Sequence, residues 1–289
     1  YYCHSENIGM VKNFNFGLQQ VNTPYFSILC DDDILLPNFY DKALEGFQKY
    51  PEAGFVATQT IFASDKKVLS ISCEGYEEKL YQPPEGLLQM TSLWWIAWMG
   101  ILFRKEVIDK VRLLDEKVGG PADLDFELRA SSVFSYTVIK SLGAIFYHNE
   151  LSLSSNWSMV EPLEGFKIIL EKIKNNKDIP LSVREIVYQN IERYVIREIW
   201  RGGINDLTKK RYNEAKKISE SLKNDFNENL KANIVYNTAK LCEFSDAFYY
   251  LLIGLNWIRK SVNPKRRMKE KRLQKMYGQY LEYFKKYSE

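Results

Sequence analysis

Residues 25–37 read YFSILCDDDILLP, and this stretch decides how the first half of the chain is interpreted. Residues 25–30 are apolar at nearly every position, which predicts a strand buried on both faces, as in a parallel sheet. Three adjacent carboxylates, Asp31, Asp32 and Asp33, follow at once. Open α/β sheets bind ligands at the carboxyl ends of their strands, so we expect a site here.

The flanking sequence predicts an α/β domain. Residues 7–21 have helical apolar spacing with Asn7 as the N-cap. After Pro37, Asn38 is expected to cap a second helix with Phe39, Ala43 and Phe47 on one face. Residues 54–63 have the pattern of a second strand, and 65–84 that of a hairpin or surface loop. Strand, carboxylates, helix and strand in this order predict a βαβ unit.

The character of the sequence changes near residue 160, where Gly and Pro become rare and helical spacing dominates. We therefore divide the chain into an α/β domain, residues 1–158, and an α-helical domain, residues 159–289. The last predicted helix covers about 265–287 and is basic. No repeat of fixed period is present, so a solenoid is not expected.

Composition excludes a disordered, a collagen-like and a low-complexity chain. The 289 residues are 45% hydrophobic and 27% charged, as in an ordinary globular protein. A net charge of +3 does not predict a nucleic acid partner. The charge is uneven, however: residues 259–289 hold 11 Lys/Arg against 3 Glu, a net of +8, and the rest of the chain carries −5.

The cysteines and the apolar runs indicate a cytoplasmic setting. Cys3, Cys30, Cys73 and Cys242 are widely spaced without a CxxC pair, so we expect reduced thiols. The longest apolar run, residues 247–258, is too short for a membrane span, which needs about 20 residues.

The acidic motif favours a divalent cation. Three adjacent carboxylates repel one another and raise each other's pKa unless a cation neutralises them. Oxygen ligands suit Mg²⁺ or Mn²⁺, with phosphates and water in the remaining positions. The motif alone leaves one alternative open, an acidic turn before the helix that follows Pro37.

Five blocks in the same order resemble family-2 glycosyltransferases of the GT-A fold, over roughly residues 5–155. These blocks are NIG (7–9) with NFNFG (13–17), the strand, acids and proline of 24–37, MGILFR (99–104), DLDFELR (123–129), and His148 with Ser152 and Ser154. Each block alone is weak, and their common order carries the resemblance. The family opens with a strand and a base-binding aspartate that have no counterpart here, so we expect the sequence to be N-terminally truncated.

The resemblance implies a GT-A-like mixed sheet flanked by helices, followed here by the α-helical domain. It also implies a reaction: one sugar passes from a nucleotide-diphospho-sugar to a glycan or lipid-linked acceptor, with a divalent metal and inversion at the anomeric carbon. The setting would be surface polysaccharide or glycoconjugate synthesis at the cytosolic face of a membrane.

The resemblance also assigns the donor side of the site. Asp33 is expected as a direct Mn²⁺ or Mg²⁺ ligand, and Asp31 or Asp32 contacts the metal, its water or the ribose. His148 is a further candidate ligand or diphosphate contact, with a satisfied buried histidine as the alternative. The residues carried over for nucleotide-sugar binding are Asn7, Gly9 and Asn13.

The acceptor side needs a base for the attacking hydroxyl. By resemblance this base is Asp123, with Asp125 as second choice, because Ala122 stands where the family has an acid. A helix N-cap is the alternative role for Asp123. Arg129 is expected to pair with an acid of the block.

Aromatic residues mark the expected acceptor surface. Trp94, Trp95 and Trp98 can stack on sugar rings, and we expect one of them to face the acceptor and two to pack in the core.

Two other functions would also use parts of this sequence pattern. A phosphohydrolase using the D-x-D block needs a hydroxyl where Leu35 stands, which argues against it. A domain that binds nucleotide-sugar or glycan without turnover remains the non-catalytic alternative.

The basic tail suggests peripheral contact with the inner face of a membrane through 259–289. Its apolar stripe is Leu273, Met276, Tyr280 and Phe284. The alternative is that this stripe packs on the preceding helix, at Tyr249, Leu252 and Leu255.

Overall fold

A mixed seven-stranded sheet forms the first half of the computed structural model, which describes residues 2–64, 67–93, 96–148 and 157–283. Its strands are β1 (Tyr25–Phe26), β2 (Ile34–Leu35), β3 (Ala53–Ser64), β4 (Lys67–Ile71), β5 (Leu80–Tyr81), β6 (Ile101–Arg104) and β7 (Ser135–Tyr147). The helices around it are α1 (Met10–Gln19), α2 (Phe39–Lys49), α3 (Glu85–Ser92), α4 (Lys105–Val111) and α5 (Ala122–Val133).

The long strands β3 and β7 form a parallel pair at the centre of the sheet. The strand order is β1-β6-β3-β7-β2, and the short outer strands β1 and β2 pair antiparallel to β6 and β7. Strand β4 folds back on β3 as the hairpin that the sequence predicts. Because β3 and β7 are parallel, their carboxyl ends lie at one edge of the sheet, where α/β proteins bind ligands.

The prediction of a strand over residues 25–30, buried in a parallel sheet, is wrong: the strand is shorter and pairs antiparallel. Only Tyr25 and Phe26 are in a strand, antiparallel to β6, and Leu29 is 43% exposed. The chain leaves the sheet because it turns at once: the Asp33 N–H donates to the Cys30 carbonyl at 3.2 Å. The simple βαβ unit is wrong for the same reason, since β6 lies between β1 and β3.

The helix beginnings differ from the predicted caps. Helix α1 begins at Met10, after Gly9 in a left-handed conformation with φ 85°. Asn7 does not cap it; its side chain instead accepts the Gly9 N–H at 2.9 Å in a local turn. Helix α2 begins at Phe39 as predicted, although Asn38 makes no side-chain cap.

The second half of the described chain is helical. Its helices are α6 (Val160–Asn175), α7 (Leu181–Thr208), α8 (Tyr212–Asn224), α9 (Asn229–Phe244), α10 (Asp246–Val262) and α11 (Pro264–Tyr277), with a 3-10 turn at Gly278–Leu281. Buried residues of α6–α9 belong to the same apolar cluster as one face of the sheet, so the two halves share a core. No helix in the described ranges has the length and apolar character needed to cross a bilayer.

The basic helix α11 packs on the β3–β4 hairpin. Leu273 is 2% exposed and belongs to a cluster with Ile61, Val68 and Ile71. The alternative contact with Tyr249, Leu252 and Leu255 is therefore wrong, because Leu273 packs on the hairpin instead. Met276 is 48% exposed, and Phe284 lies outside the described residues.

Candidate active site

Asp33 lies at the carboxyl edge of the parallel pair. Asp33 is 7% exposed, and its Oδ1 accepts a hydrogen bond from the backbone N–H of Tyr147 at 3.1 Å. Its Oδ2 is buried and has no hydrogen-bond partner among the described residues. Burial raises the pKa of the Asp33 carboxyl to about 7; Asp32 and Asp31 add to this shift, and the hydrogen bond from Tyr147 opposes it. A buried oxygen that lacks a partner marks a place where a cation would be favourable.

Three side chains converge at this turn. Ligand atoms of Cys30, Asp32 and Asp33 all lie within 4.8 Å of one another. Burial, with the charges of the neighbouring acids, raises the pKa of the Cys30 thiol to about 12, so it stays protonated and is a poor ligand for a hard ion. The residues that fit Mg²⁺ or Mn²⁺ are therefore Asp32 and Asp33, whose oxygens suit these ions.

Two expected metal ligands lie outside this trio. Asp31 is exposed and does not belong to the trio, although its charge adds to the raised pKa values of Cys30 and Asp33. His148 is also exposed, so the buried alternative for it is wrong; its backbone N–H donates to the Ala63 carbonyl at 2.7 Å. The sequence analysis missed Cys30 because only the turn between Cys30 and Asp33 brings its thiol back to the carboxylates.

Helix α5 carries Asp123 towards the acidic turn. The helix runs directly into β7, so its first turn lies towards the edge at which β7 ends. The charge of Asp123 contributes to the raised pKa of Cys30, which places the two groups in one electrostatic neighbourhood. The side chain of Asp123 reaches the surface, but the protein packed around it raises the pKa of its carboxyl by desolvation. The Leu124 N–H, which donates to Asp123 Oδ1 at 2.7 Å, opposes this shift.

Asp125 occupies a different environment. It is 3% exposed and pairs with Arg129 at 2.8 Å and with Lys172 of α6 at 2.8 Å. Arg129 also donates to the carbonyls of Val111 and Leu113, so it pairs with an acid of the block as predicted and ties α5 to the end of α4. Both carboxylate oxygens of Asp125 are engaged, which describes a structural ion-pair network.

Glu127 is a site residue that the sequence analysis missed. It lies one helical turn after Asp123, is 3% exposed, and its carboxyl takes part in none of the hydrogen bonds or ion pairs of the described residues. Burial raises the pKa of Glu127 well above its usual value, and the charge of Asp123 adds to the shift. The i, i+4 spacing from Asp123 was a signal that could have identified it.

The residues expected to bind the nucleotide-sugar, Asn7, Gly9 and Asn13, are all exposed. The buried asparagine of this segment is instead Asn15, which was not singled out. Its side chain donates to the Leu114 carbonyl and accepts the Leu114 N–H, both at 2.9 Å, so it fixes α1 to the loop before α5.

The expected acceptor tryptophans are only partly described. Trp98 is 7% exposed and packs edge-on against Phe126 and near Phe103, so it belongs to the core. Trp94, Trp95, Ser152 and Ser154 lie outside the described residues.

A cavity of about 480 Å³ lies between the β4 region, α7 and α11. Its lining includes Cys73, Tyr76, Glu198, Arg201 and Lys269. Burial raises the pKa of Cys73, and the charge of Glu127 adds to this shift, so the Cys73 side of the cavity lies within the electrostatic influence of Glu127. Polar, charged and aromatic groups in one concave surface suit a hydroxylated ligand.

The comparisons with known proteins identify the fold. No family model and no curated protein matches the chain. The solved structure of S. aureus TarS residues 1–349 is similar at a TM-score of 0.53 and 11% identity, over 82% of this chain and 71% of that one. The same fragment in complex with UDP-GlcNAc gives a TM-score of 0.50 and 13% identity, over 81% and 72%. The predicted fold class, a glycosyltransferase-like mixed sheet with a helical C-terminal region, is thereby confirmed.

Proposed function

We propose that this chain is a nucleotide-sugar glycosyltransferase. The observation that carries the proposal is one edge of the sheet at which a carboxylate oxygen of Asp33, buried without a partner among the described residues, lies beside Asp32 and Cys30. The charge of Asp123 also acts on the Cys30 thiol. A reaction of this class needs positive charge for a departing diphosphate and a base for an attacking hydroxyl. The fold shared with TarS, a glycosyltransferase, supports the same conclusion.

In the proposed reaction, Asp123 acts as the base in a single displacement at the anomeric carbon. The acceptor oxygen forms a bond to the anomeric carbon, the bond from that carbon to the diphosphate breaks, and its electron pair leaves with the nucleotide. Asp123 takes the proton of the acceptor hydroxyl. A single displacement of this kind inverts the anomeric carbon, which is the outcome that the family-2 resemblance implies.

Asp32 and Asp33 would hold Mg²⁺ or Mn²⁺, and the ion would stabilise the charge that develops on the diphosphate. Asp31 is proposed for the ribose or a metal-bound water, because it lies in the same turn but is exposed. Asn7, Gly9, Asn13 and His148 remain proposals for donor contacts. We no longer propose Asp125 as the second candidate for the base, because its carboxylate pairs with Arg129 and Lys172.

We further propose a glycan or lipid-linked acceptor on the cytosolic side of a membrane, in surface polysaccharide or glycoconjugate synthesis. Leu273 of helix α11 packs against the β3–β4 hairpin, so contact with a membrane would need another apolar surface. Helix α10 offers one: Phe244 just before it, then Phe248, Leu251, Leu255 and Ile258, are all exposed at helical spacing. The basic helix α11, which follows α10 in the chain, favours an anionic lipid surface.

Donor hydrolysis and transfer test the proposal directly. UDP-GlcNAc, the ligand in one of the TarS structures, is the first donor to assay, followed by a panel of nucleotide-diphospho-sugars. We expect release of the nucleoside diphosphate that depends on Mn²⁺ or Mg²⁺ and is lost in Asp33→Asn. Donor binding without any turnover, with every acceptor class supplied, would instead support the non-catalytic binding domain.

A further inference from the structure

The cavity between the β4 region, α7 and α11 has no part in the donor chemistry proposed above. Its volume of about 480 Å³ falls within the range of about 300–1,000 Å³ that is typical of small-molecule sites. The three elements that meet around it are far apart in the sequence, so its shape is a property of the folded chain and not of one loop. It is therefore a candidate binding site.

The cavity lies at the same edge of the sheet as Asp33. Its wall includes Phe62, which is near the carboxyl end of β3 and stands opposite Phe146 of β7 in the parallel register. The two ring centroids are 5.3 Å apart, and the next residue of β7, Tyr147, donates its N–H to Asp33. Strands β3, β7 and β2 are neighbours, so two strand spacings of about 4.8 Å place Phe62 roughly 10 Å from the acidic turn. Ser70, opposite Phe62 on β4, also lines the cavity.

The charged groups of the cavity form pairs of opposite sign. Arg201 pairs with Glu198 of the same helix at 3.0 Å, and Lys269 of α11 pairs with Glu74 at 3.2 Å. Both cationic side chains are more than half exposed, so they can reach a ligand. The four charges sum to zero, which supplies N–H donors and carboxylate acceptors without a net charge. This combination suits the hydroxyl groups of a neutral ligand, whereas an anion would meet the two carboxylates.

Apolar and aromatic side chains form the rest of the described wall. They include Phe62, Ile71, Leu93 and Tyr194. The C–H faces of a sugar ring can pack on such side chains while its hydroxyls bond the charged pairs. Trp98, which the sequence analysis placed on the acceptor side, is buried in the core instead. The cavity thus offers a saccharide-binding surface that Trp98 does not.

We propose that this cavity binds a neutral saccharide unit of the acceptor, next to the sugar whose hydroxyl reacts at the acidic turn. The separation of roughly 10 Å from Asp33 leaves the reacting unit between the cavity and the donor. The cavity makes and breaks no covalent bond; it holds the acceptor so that its hydroxyl meets the anomeric carbon. The proposal rests on the proposed function, because the saccharide is an acceptor only if the chain transfers a sugar. Saccharide binding itself can be measured without turnover.

Methyl NMR on the substrate-free protein, labelled at the isoleucine δ1 methyls, measures the binding. The neutral probes are maltotetraose, cellotetraose and chitotetraose, and a hyaluronan tetrasaccharide is the acidic probe. We expect at least one neutral probe to shift the methyl of Ile71, which lines the cavity, and to leave that of Ile218 in α8 in place. The octyl glycoside of the binding saccharide separates a lipid-linked from a free glycan acceptor, and binding of either form supports the site.

Two variants test whether the shift arises in the cavity. Ser70→Phe places a ring in it and should abolish the shift of the Ile71 methyl. Ser135→Phe is the matched control, because Ser135 begins β7 and does not line the cavity; it should keep the shift. Arg201→Ala leaves the cavity open and should weaken binding about tenfold, since a charged hydrogen bond is lost. Its Tm should stay unchanged, because an exposed ion pair contributes little to stability.

The binding results decide the proposal even if no donor is turned over. No shift of Ile71 with any neutral probe, or a shift with the hyaluronan probe alone, overturns it. If Ser70→Phe lowers Tm, Arg201→Ala decides, and wild-type affinity in that variant overturns the site.

With turnover, Ser70→Phe should raise the acceptor KM by about tenfold or more at unchanged donor KM, and Ser135→Phe should match the wild type. An equal rise of the donor KM in Ser70→Phe would place the defect at the donor and overturn the assignment. Saccharide binding at Ile71 without transfer by the wild type overturns only the proposed function.

Discussion

The Asp33 carboxylate accepts the backbone N–H of Tyr147 at 3.1 Å, and this bond joins the acidic turn to the last residue of β7. One oxygen of Asp33 is thereby fixed to the sheet, and the other is left buried without a partner in the described part of the chain. The arrangement holds a carboxylate rigidly while leaving one oxygen for a ligand. This is the geometry that a metal-binding acid needs.

Asp33→Asn is expected to remove the stabilisation by Mn²⁺ and to raise Tm at pH 8 without metal. The amide keeps the shape but carries no charge, so the cost of burying a carboxylate disappears together with the cation site. Thermal unfolding with and without Mn²⁺ measures both effects. Asp31→Asn is the matched control, because Asp31 is exposed and lies outside the trio; it should retain most of the shift. Full Mn²⁺ stabilisation of Asp33→Asn would contradict the assignment.

Mn²⁺ binding is expected to weaken as pH falls below about 7. The pKa of Asp33 is raised to about 7, so below this pH the ion must displace a proton, and affinity falls by up to about tenfold per pH unit. The same shift makes the contribution of Asp33 to metal-free stability most favourable at low pH: the native state keeps a proton that the unfolded chain loses above about pH 4, so this contribution falls between about pH 4 and 7. Calorimetric titration at pH 6, 7 and 8 measures the affinity, and a flat profile would contradict the prediction.

How much could be predicted from the sequence depended on whether a feature is local. Strand β3, helix α2 and the β3–β4 hairpin follow from apolar spacing and turn residues within each segment, and the structure has them where expected. Local spacing shows neither that the Cys30 thiol reaches the carboxylates nor that Glu127 is buried. Their importance arises from a turn and from burial by distant elements, which no local pattern encodes.

The tail shows the same limit. Its helical spacing correctly indicated an amphipathic helix, but the spacing of Leu273 does not say which surface will cover it. The partner is the β3–β4 hairpin, roughly 200 residues earlier in the chain, where Lys67 also pairs with Glu270 at 3.1 Å. An amphipathic pattern specifies that a face is buried and leaves its partner open.

Asp123→Asn and Asp125→Asn are expected to fail in different ways. Asp123→Asn should keep donor affinity and Tm but lower kcat by about 10²–10⁴, the range for loss of a general base. Asp125→Asn should lower the free energy of unfolding by about 1–3 kcal/mol, because it weakens the pairing of Arg129 and Lys172. Kinetics with the best donor, and urea unfolding of both variants, measure the split. A reversed pattern would move the base to Asp125.

Binding to anionic vesicles is expected to need α10 and α11 together. The exposed apolar residues of α10 supply burial, and the exposed cations of α11 supply about 1 kcal/mol each near an anionic surface, screened within a Debye length. Flotation with phosphatidylserine vesicles should therefore show binding that weakens with salt. Leu251→Asp with Leu255→Asp should abolish it, and so should neutralising Lys271, Arg272 and Lys275 to Gln.

Deleting α11 is avoided because that would uncover Val68 and Ile71 of the hairpin. Neutralising the exposed Lys177, Lys217 and Lys223 is the matched control and should leave flotation unchanged. Absence of flotation at low salt, with a concentration-dependent increase in mass that Leu251→Asp and Leu255→Asp remove, would assign the α10 surface to a second copy of the chain instead.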